Sequence, residues 1–185
     1  MRFLHKQPAF AFAIAIALGS GCATASRMGN AVSRATAIMY DISGAPIGTA
    51  DLWQEPSGLV NVEIASLALP AGTHGIHFHE VAKCEGGATA FSTAGAHYNP
   101  LAKQHGLSNP LGPHAGDAPN VVVPASGFVH VSFTTNRVTL TPGTISLFDA
   151  DGSSIVVHAN ADDQISQPSG NSGPRIACGV VKALP

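Results

Sequence analysis

The chain has 185 residues with nine basic and eleven acidic side chains, a formal charge of −2, and charged residues make up only 11% of it. A mildly acidic protein without a basic cluster is a poor partner for nucleic acid, whose phosphates call for a positive face. Its hydrophobic content, 45%, is enough for one domain with a real core.

The first 25 residues stand apart. Arg2 and Lys6 precede an apolar run from Ala9 to Leu18, and small residues follow, the layout of a secretory signal. The run, about ten residues, is too short to span a bilayer, which takes roughly 20. Ala23-Thr24-Ala25 offers cleavage after Ala25, leaving one domain over 26–185. The competing reading is lipoprotein processing at Cys22, with a lipid anchor there, although Leu18 stands one position further from that cysteine than such processing normally wants. Either way Cys84 and Cys178 remain as an even pair in an oxidising compartment, which favours a disulfide over two separate buried thiols.

Beyond the signal, short apolar–polar alternations predict strands at Ala35–Asp41, Ile47–Trp53 and around Val60, Val62 and Ile64. Further strands are predicted at Gly75–His79, Gly127–Phe133, Arg137–Thr141, Thr144–Phe148, Ser154–His158 and Arg175–Lys182. Turn signals such as Pro56-Ser57-Gly58, Pro142-Gly143 and Asp151-Gly152 separate them, and no convincing helix lies among them. Many short strands at this spacing predict an all-β antiparallel sandwich or Greek-key barrel. Two stretches, 80–120 and 159–174, have no strand period and exceed the length at which unstructured loops are common, unless they are functional.

Seven ligand-type side chains occur in and beside those stretches. In a strand, residues two apart share a face, so His77 and His79 can present both rings to one ion while Phe78 faces the other way. His97, His105 and the compact pair His114-x-x-Asp117 make a closed set of four that suits tetrahedral zinc. His77, His79 and His158 with one shared histidine make an all-imidazole set; imidazole suits copper, zinc, iron and nickel, and a flattened square suits copper(II). Ligand chemistry alone leaves the metals open.

The segments GIHFHE (75–80), STAGAHYNP (92–100), KQHG (103–106), GPHAGD (112–117), VVHANADD (156–163) and GNSGPRIACGVV (170–181) resemble copper/zinc superoxide dismutase of the bacterial exported type, over essentially the whole mature chain. The resemblance implies an eight-stranded antiparallel Greek-key barrel or sandwich with two long functional loops. It also implies a periplasmic location. His77, His79, His97 and His158 then bind copper, and His97, His105, His114 and Asp117 bind zinc, with His97 as the bridge. Asp162 links a copper histidine, His77, to a zinc histidine, His105; His74 supports the site without ligating metal. Asp163 reads as a loop charge and His130 as structural.

Arg175 matches the family's arginine at the copper, where a permanently charged guanidinium suits a small anion. A Cys84–Cys178 bond would tether it beside the first loop. The implied reaction converts superoxide to dioxygen and hydrogen peroxide as copper alternates between two oxidation states and His97 carries a proton. Lys103 is the candidate steering charge, since 159–174 holds no lysine. Ser169 occupies a channel position where animal members have threonine, and Pro174 bears on the placement of Arg175. A copper-only dismutase would lack zinc ligands that are present here. A noncatalytic copper/zinc-binding or copper-delivery protein would have no need of Arg175, and an inert structural domain would not explain a complete ligand set. The oligomeric state reads as monomer or homodimer.

Overall fold

The computed structural model describes residues 32–66, 68–86 and 89–185, so the signal segment and Cys22 lie outside the described residues. Ten strands follow in chain order: β1 Ser33–Asp41, β2 Pro46–Gln54, β3 Val60–Ser66, β4 Gly72–His74, β5 Ile76–His79, β6 Val121–Val123, β7 Val129–Thr135, β8 Ser154–His158, β9 Arg175–Val180 and β10 Lys182–Leu184. Eight of them form one antiparallel, curled sheet in the order β5-β8-β9-β1-β2-β3-β7, with β10 also on β1; β4 and β6 pair separately. The fold is all-β, and the only helical turn among the described residues is 3-10, at Ser92–Ala94.

Alternation explains the sheet. The pairs Ala50↔Ile64 and Leu52↔Val62 between β2 and β3, and Ile64↔Val131 and Val62↔Phe133 between β3 and β7, point inward. Asp51↔Glu63 lies on the other face. The inward set packs into one core with Ile76 and Phe78 of β5 and Ile155 and Val157 of β8, so curling brings the two ends of the sheet onto shared apolar contacts. Phe78 is thereby sent into the core, and the rings on either side of it, His77 and His79, are turned to the opposite face.

Three expectations are corrected. Residues 137–141 and 144–148 are not strands; they form a loop closed by one parallel bridge, Thr139↔Ser146. The buried side chains Val138, Leu140 and Leu147 imitate strand period there, but the side-chain carbonyl of Gln54 takes the N–H groups of Leu140 (2.7 Å) and Thr141 (3.2 Å) in place of a neighbouring strand. The strand expected at 127–133 runs two residues later, because the turn 124–127 is closed by Gly127 N–H on Pro124. The three-residue strands β4 and β6 are too short for any periodicity, and they find each other across the length of the first long loop.

Candidate metal centre

The outer edge of β5 is not covered by another strand but by the first long loop. Phe78 N–H donates to Gly116 O (2.9 Å), Tyr98 N–H to Phe78 O (2.8 Å), and isolated bridges pair His79 with His97 and His77 with Asp117. Histidines on the strand and ligand-type residues in the loop are therefore adjacent by backbone hydrogen bonding. On the other edge β8 and β9 bring His158 opposite Arg175.

Hydrogen bonding fixes the tautomers. His79 Nδ1 lies 3.0 Å from Gly95 O, and His158 Nδ1 lies 3.0 Å from Gly173 O. A carbonyl only accepts, so both Nδ1 atoms carry the proton and both Nε2 atoms keep a lone pair. His77 donates from Nε2 to Asp162 Oδ2 (2.7 Å), which leaves Nδ1. Those three free nitrogens and His97 Nε2 are buried and have no hydrogen-bond partner. One ligand atom from each of these four histidines can be chosen with all within 4.8 Å of one another. Four buried lone pairs aimed at one another cost free energy unless something accepts them, and an imidazole-only set fits copper.

A second focus lies on Asp117. Its Oδ1 is 3.1 Å from His97 Nδ1, 3.0 Å from His105 Nδ1 and 3.4 Å from His114 Nδ1. Its Oδ2 accepts the N–H groups of Gly106 (2.8 Å) and His114 (2.9 Å). The second compact group is His77, His97, His105 and Asp117, with His114 just outside. His77 enters it by stacking on His97 at 3.8 Å between ring centroids, but its Nε2 is already spent on Asp162. His114 Nδ1 is buried without a hydrogen bond, so the donor set that converges on Asp117 is three imidazoles and a carboxylate, which fits zinc.

Electrostatics separate the two groups. Burial pushes the His77 ring down to about 3 and the His158 ring down to about 4, and it lowers His79 and His97 as well. These rings stay neutral, as metal ligation requires. His105 goes the other way: burial disfavours its charge, but Asp117 on one nitrogen and Asp162 on the other (3.0 Å) raise it to about 9. Burial also works against both carboxylates, and hydrogen bonds from the histidines overcome it and hold them well below the usual carboxylate range. The space between Asp117 and Asp162 thus favours a cation.

Arg175 donates from Nη1 to Phe91 O (2.6 Å) and from Nη2 to Gly95 O (2.5 Å), the residues that flank the 3-10 turn at either end. Phe91 packs its ring with Val156, Cys178 and Cys84, and Cys84–Cys178 form a disulfide. Guanidinium, turn and disulfide are one unit. The guanidinium opens onto a cleft of about 640 Å³ lined also by His79, His97, His158 and Ser169.

Other expected residues take various positions. Asp162 joins His77 and His105, while Asp163 caps the N–H groups of Ile165 and Ser166 and so folds the second loop. His74 is buried between the carbonyls of Pro70 and His158. His130 pairs with Glu63 on the outer face of the sheet, away from the cleft. Lys103 is exposed and does not line the cleft; its backbone is held by Asn99. The Pro174 carbonyl accepts Ala159 N–H (2.8 Å) and so closes the base of the second loop.

Three supports of the site lie outside the residues expected from the sequence. Asn120 grips the backbone of Asp162 at both N–H and C=O, each 2.8 Å. Gln167 does the same for His105 (2.9 and 3.0 Å). Gly170 lies against the Asp162 carboxylate, where there is no room for a Cβ. Asn120 and Gln167 carry no local signal; Gly170, in Ser-Gly-Asn-Ser-Gly-Pro, has one that reads only as a turn.

An antiparallel curled sheet, a half-barrel, with two adjoining ligand sets, one all-imidazole and one completed by a carboxylate, defines a protein built for two metals. The family described as copper/zinc superoxide dismutase (SODC) matches residues 47–181, and the chain belongs to that family. It is similar to superoxide dismutase [Cu-Zn] 1 of Aquifex aeolicus, 45% identical over 141 residues that cover 75% of this chain and 82% of that one. Among solved structures it is similar to a superoxide dismutase-like protein from Bacillus subtilis, with a TM-score of 0.73, 34% identity, and 78% and 96% of the two chains covered. The Cu/Zn superoxide dismutase of Brucella abortus has a TM-score of 0.67 at 28% identity, with 80% and 99% covered. Membership makes the chain an oxidoreductase acting on superoxide, with copper and zinc as its cofactors.

Proposed function

We propose that this chain catalyses the dismutation of superoxide to dioxygen and hydrogen peroxide after export to the periplasm. His77, His79, His97 and His158 would hold copper, and His97, His105, His114 and Asp117 would hold zinc. The observation that carries the reading is the set of four partnerless buried imidazole nitrogens, three of whose rings (His79, His97 and His158) line a cleft that also holds a pinned guanidinium. Copper held by these four histidines would supply a one-electron redox couple for the two superoxides.

The chain's own residues do the rest. Arg175 keeps three of its five donors after binding Phe91 and Gly95, and it attracts and orients a small anion beside the histidines. His97 is held from its Nδ1 side near Asp117, so its Nε2 can take a proton and deliver it to peroxide without the ring leaving its place. Asp162 ties the two sets together through His77 and His105. A protein that only stored or delivered metal would not need a guanidinium pinned at the mouth.

The test is to purify the mature protein, count copper and zinc, and measure superoxide loss with and without copper. Full zinc occupancy with no activity after copper loading would overturn the proposal. His97→Ala tests the bridge: zinc retention and activity both surviving would show that His97 does not join the two sites.

A further inference from the structure

Two side chains that line the cleft carry a fixed charge, Arg175 and Glu80. Glu80 follows His79 directly, and its Oε1 accepts Ala96 N–H at 2.9 Å, one residue before His97. Its own N–H donates to Ala96 O at 3.0 Å. The side chain thus clamps the bridge between His79 and His97. A Cβ on Gly95 would stand 2.8 Å from that same oxygen, so a side chain at 95 would push the carboxylate away.

Ala96 N–H and Gly95 C=O belong to one peptide unit. Glu80 binds its N–H edge, and Arg175 Nη2 binds its C=O edge at 2.5 Å, where His79 Nδ1 also donates. Hydrogen bonds on opposite edges of a single amide place the carboxylate within about 8 Å of the guanidinium. An anion that docks on Arg175 therefore feels a fixed negative charge nearby.

We propose that Glu80 is a specificity-determining residue: its carboxylate makes the Arg175 site select small monoanions against dianions. For an anion seated on the guanidinium at roughly 10 Å from the carboxylate, a water-like dielectric gives a penalty of roughly twofold in binding for a monoanion and roughly fourfold for a dianion, because repulsion scales with the ligand's charge. Superoxide, a monoanion, bears the smaller penalty, while multiply charged anions that would block the site bear the larger one. The inference rests on reading this cleft as the superoxide site, and its binding arm can be measured without turnover.

The experiment compares the copper/zinc-loaded protein with Glu80→Gln, which keeps an oxygen for Ala96 N–H, and with Glu80→Asp, which keeps the charge. Nitrate and sulfate are titrated against the Arg175 guanidinium resonances by NMR in the diamagnetic copper(I) form at low ionic strength. Glu80→Gln should tighten nitrate roughly twofold and sulfate roughly fourfold, and raise the second-order rate with superoxide roughly twofold. Each gain should shrink toward nothing near 1 M salt, where screening acts over about 3 Å. Glu80→Asp should keep the wild-type preference. Equal gains for nitrate and sulfate, no gain for either, or gains that persist in high salt would overturn the proposal. If the wild type fails to consume superoxide while the anion shifts appear, the enzyme reading fails and the role of Glu80 stands.

Discussion

Replacing Gly170 with alanine tests the link between the two metal sets through an atom neither metal touches. Gly170 has φ +63°, and a Cβ there would fall 1.7 Å from Asp162 Oδ1 and 2.7 Å from His105 Nε2. The backbone penalty for a non-glycine residue in this region is about 1 kcal/mol. The collision costs more. Oδ1 accepts from Gln164 N–H (2.6 Å) and His105 Nε2 (3.0 Å), and the carboxylate must leave both to make room. Hydrogen bonds to a charged group contribute about 1.5–3 kcal/mol each. With partial relaxation, Gly170→Ala should lose about 3–5 kcal/mol of stability in the metal-free protein.

A control exists within the chain. Gly58 has φ +91° and nothing within 4 Å of its Cβ position, so Gly58→Ala should cost only the backbone penalty, about 1 kcal/mol. Urea unfolding of the two metal-free variants gives the comparison, and competition against chelators gives the metals. Loss of the oriented carboxylate should weaken copper and zinc alike by roughly 10- to 100-fold, since Asp162 holds one histidine of each set. If Gly170→Ala lost no more stability than Gly58→Ala and kept both affinities, Asp162 would not be a shared support of the two metal sets.

Zinc affinity should fall about tenfold per pH unit below about 9, because binding must displace the proton that Asp117 and Asp162 hold on His105; copper affinity should stay nearly flat from pH 8 to 5, since His77 and His158 titrate only near 3 and 4. Calorimetric titration across this range checks both slopes, and parallel slopes would contradict the assignment. Arg175→Lys should leave both metals bound and lower the superoxide rate about tenfold, because one ammonium cannot span the carbonyls of Phe91 and Gly95; a wild-type rate would show that the pinned fork does not matter. Cys84→Ser opens a cross-link between residues 94 apart and should lower stability by about 4 kcal/mol, read as a shift in the urea midpoint.

The ligand residues were legible because they obey local rules. His77 and His79 share a face by strand period, and Phe78 between them had to enter the core, as it does. What stayed hidden lies in contacts between distant segments. Asn120 holds Asp162 from 42 residues away, Gln167 holds His105 from 62, and Gln54 stops residues 137–148 from being strands from 86. In each case a side-chain amide supplies the backbone partner that a neighbouring strand would otherwise give. An amide leaves no trace in hydrophobic period, so a loop ordered in this way looks unstructured, and one buried against such an amide looks like a strand.

That difference bears on how the two metals depend on each other. The strand histidines are placed by the sheet, whereas His105 and Asp162 are placed by amides from the two loops. Among the described residues, Asp162 is the one carboxylate shared by a strand histidine and a loop histidine. Order in the loops therefore reaches His77 through Asp162, while order in the sheet does not by itself place His105. Withholding zinc should accordingly loosen the loops and, through Asp162, the setting of His77, whereas withholding copper should leave the loops around His105 ordered, even though linkage makes the binding free energies reciprocal. The asymmetry belongs in local opening: hydrogen exchange at Gly106, Leu107 and Gln164 should speed when zinc is withheld and should be little changed when copper alone is withheld.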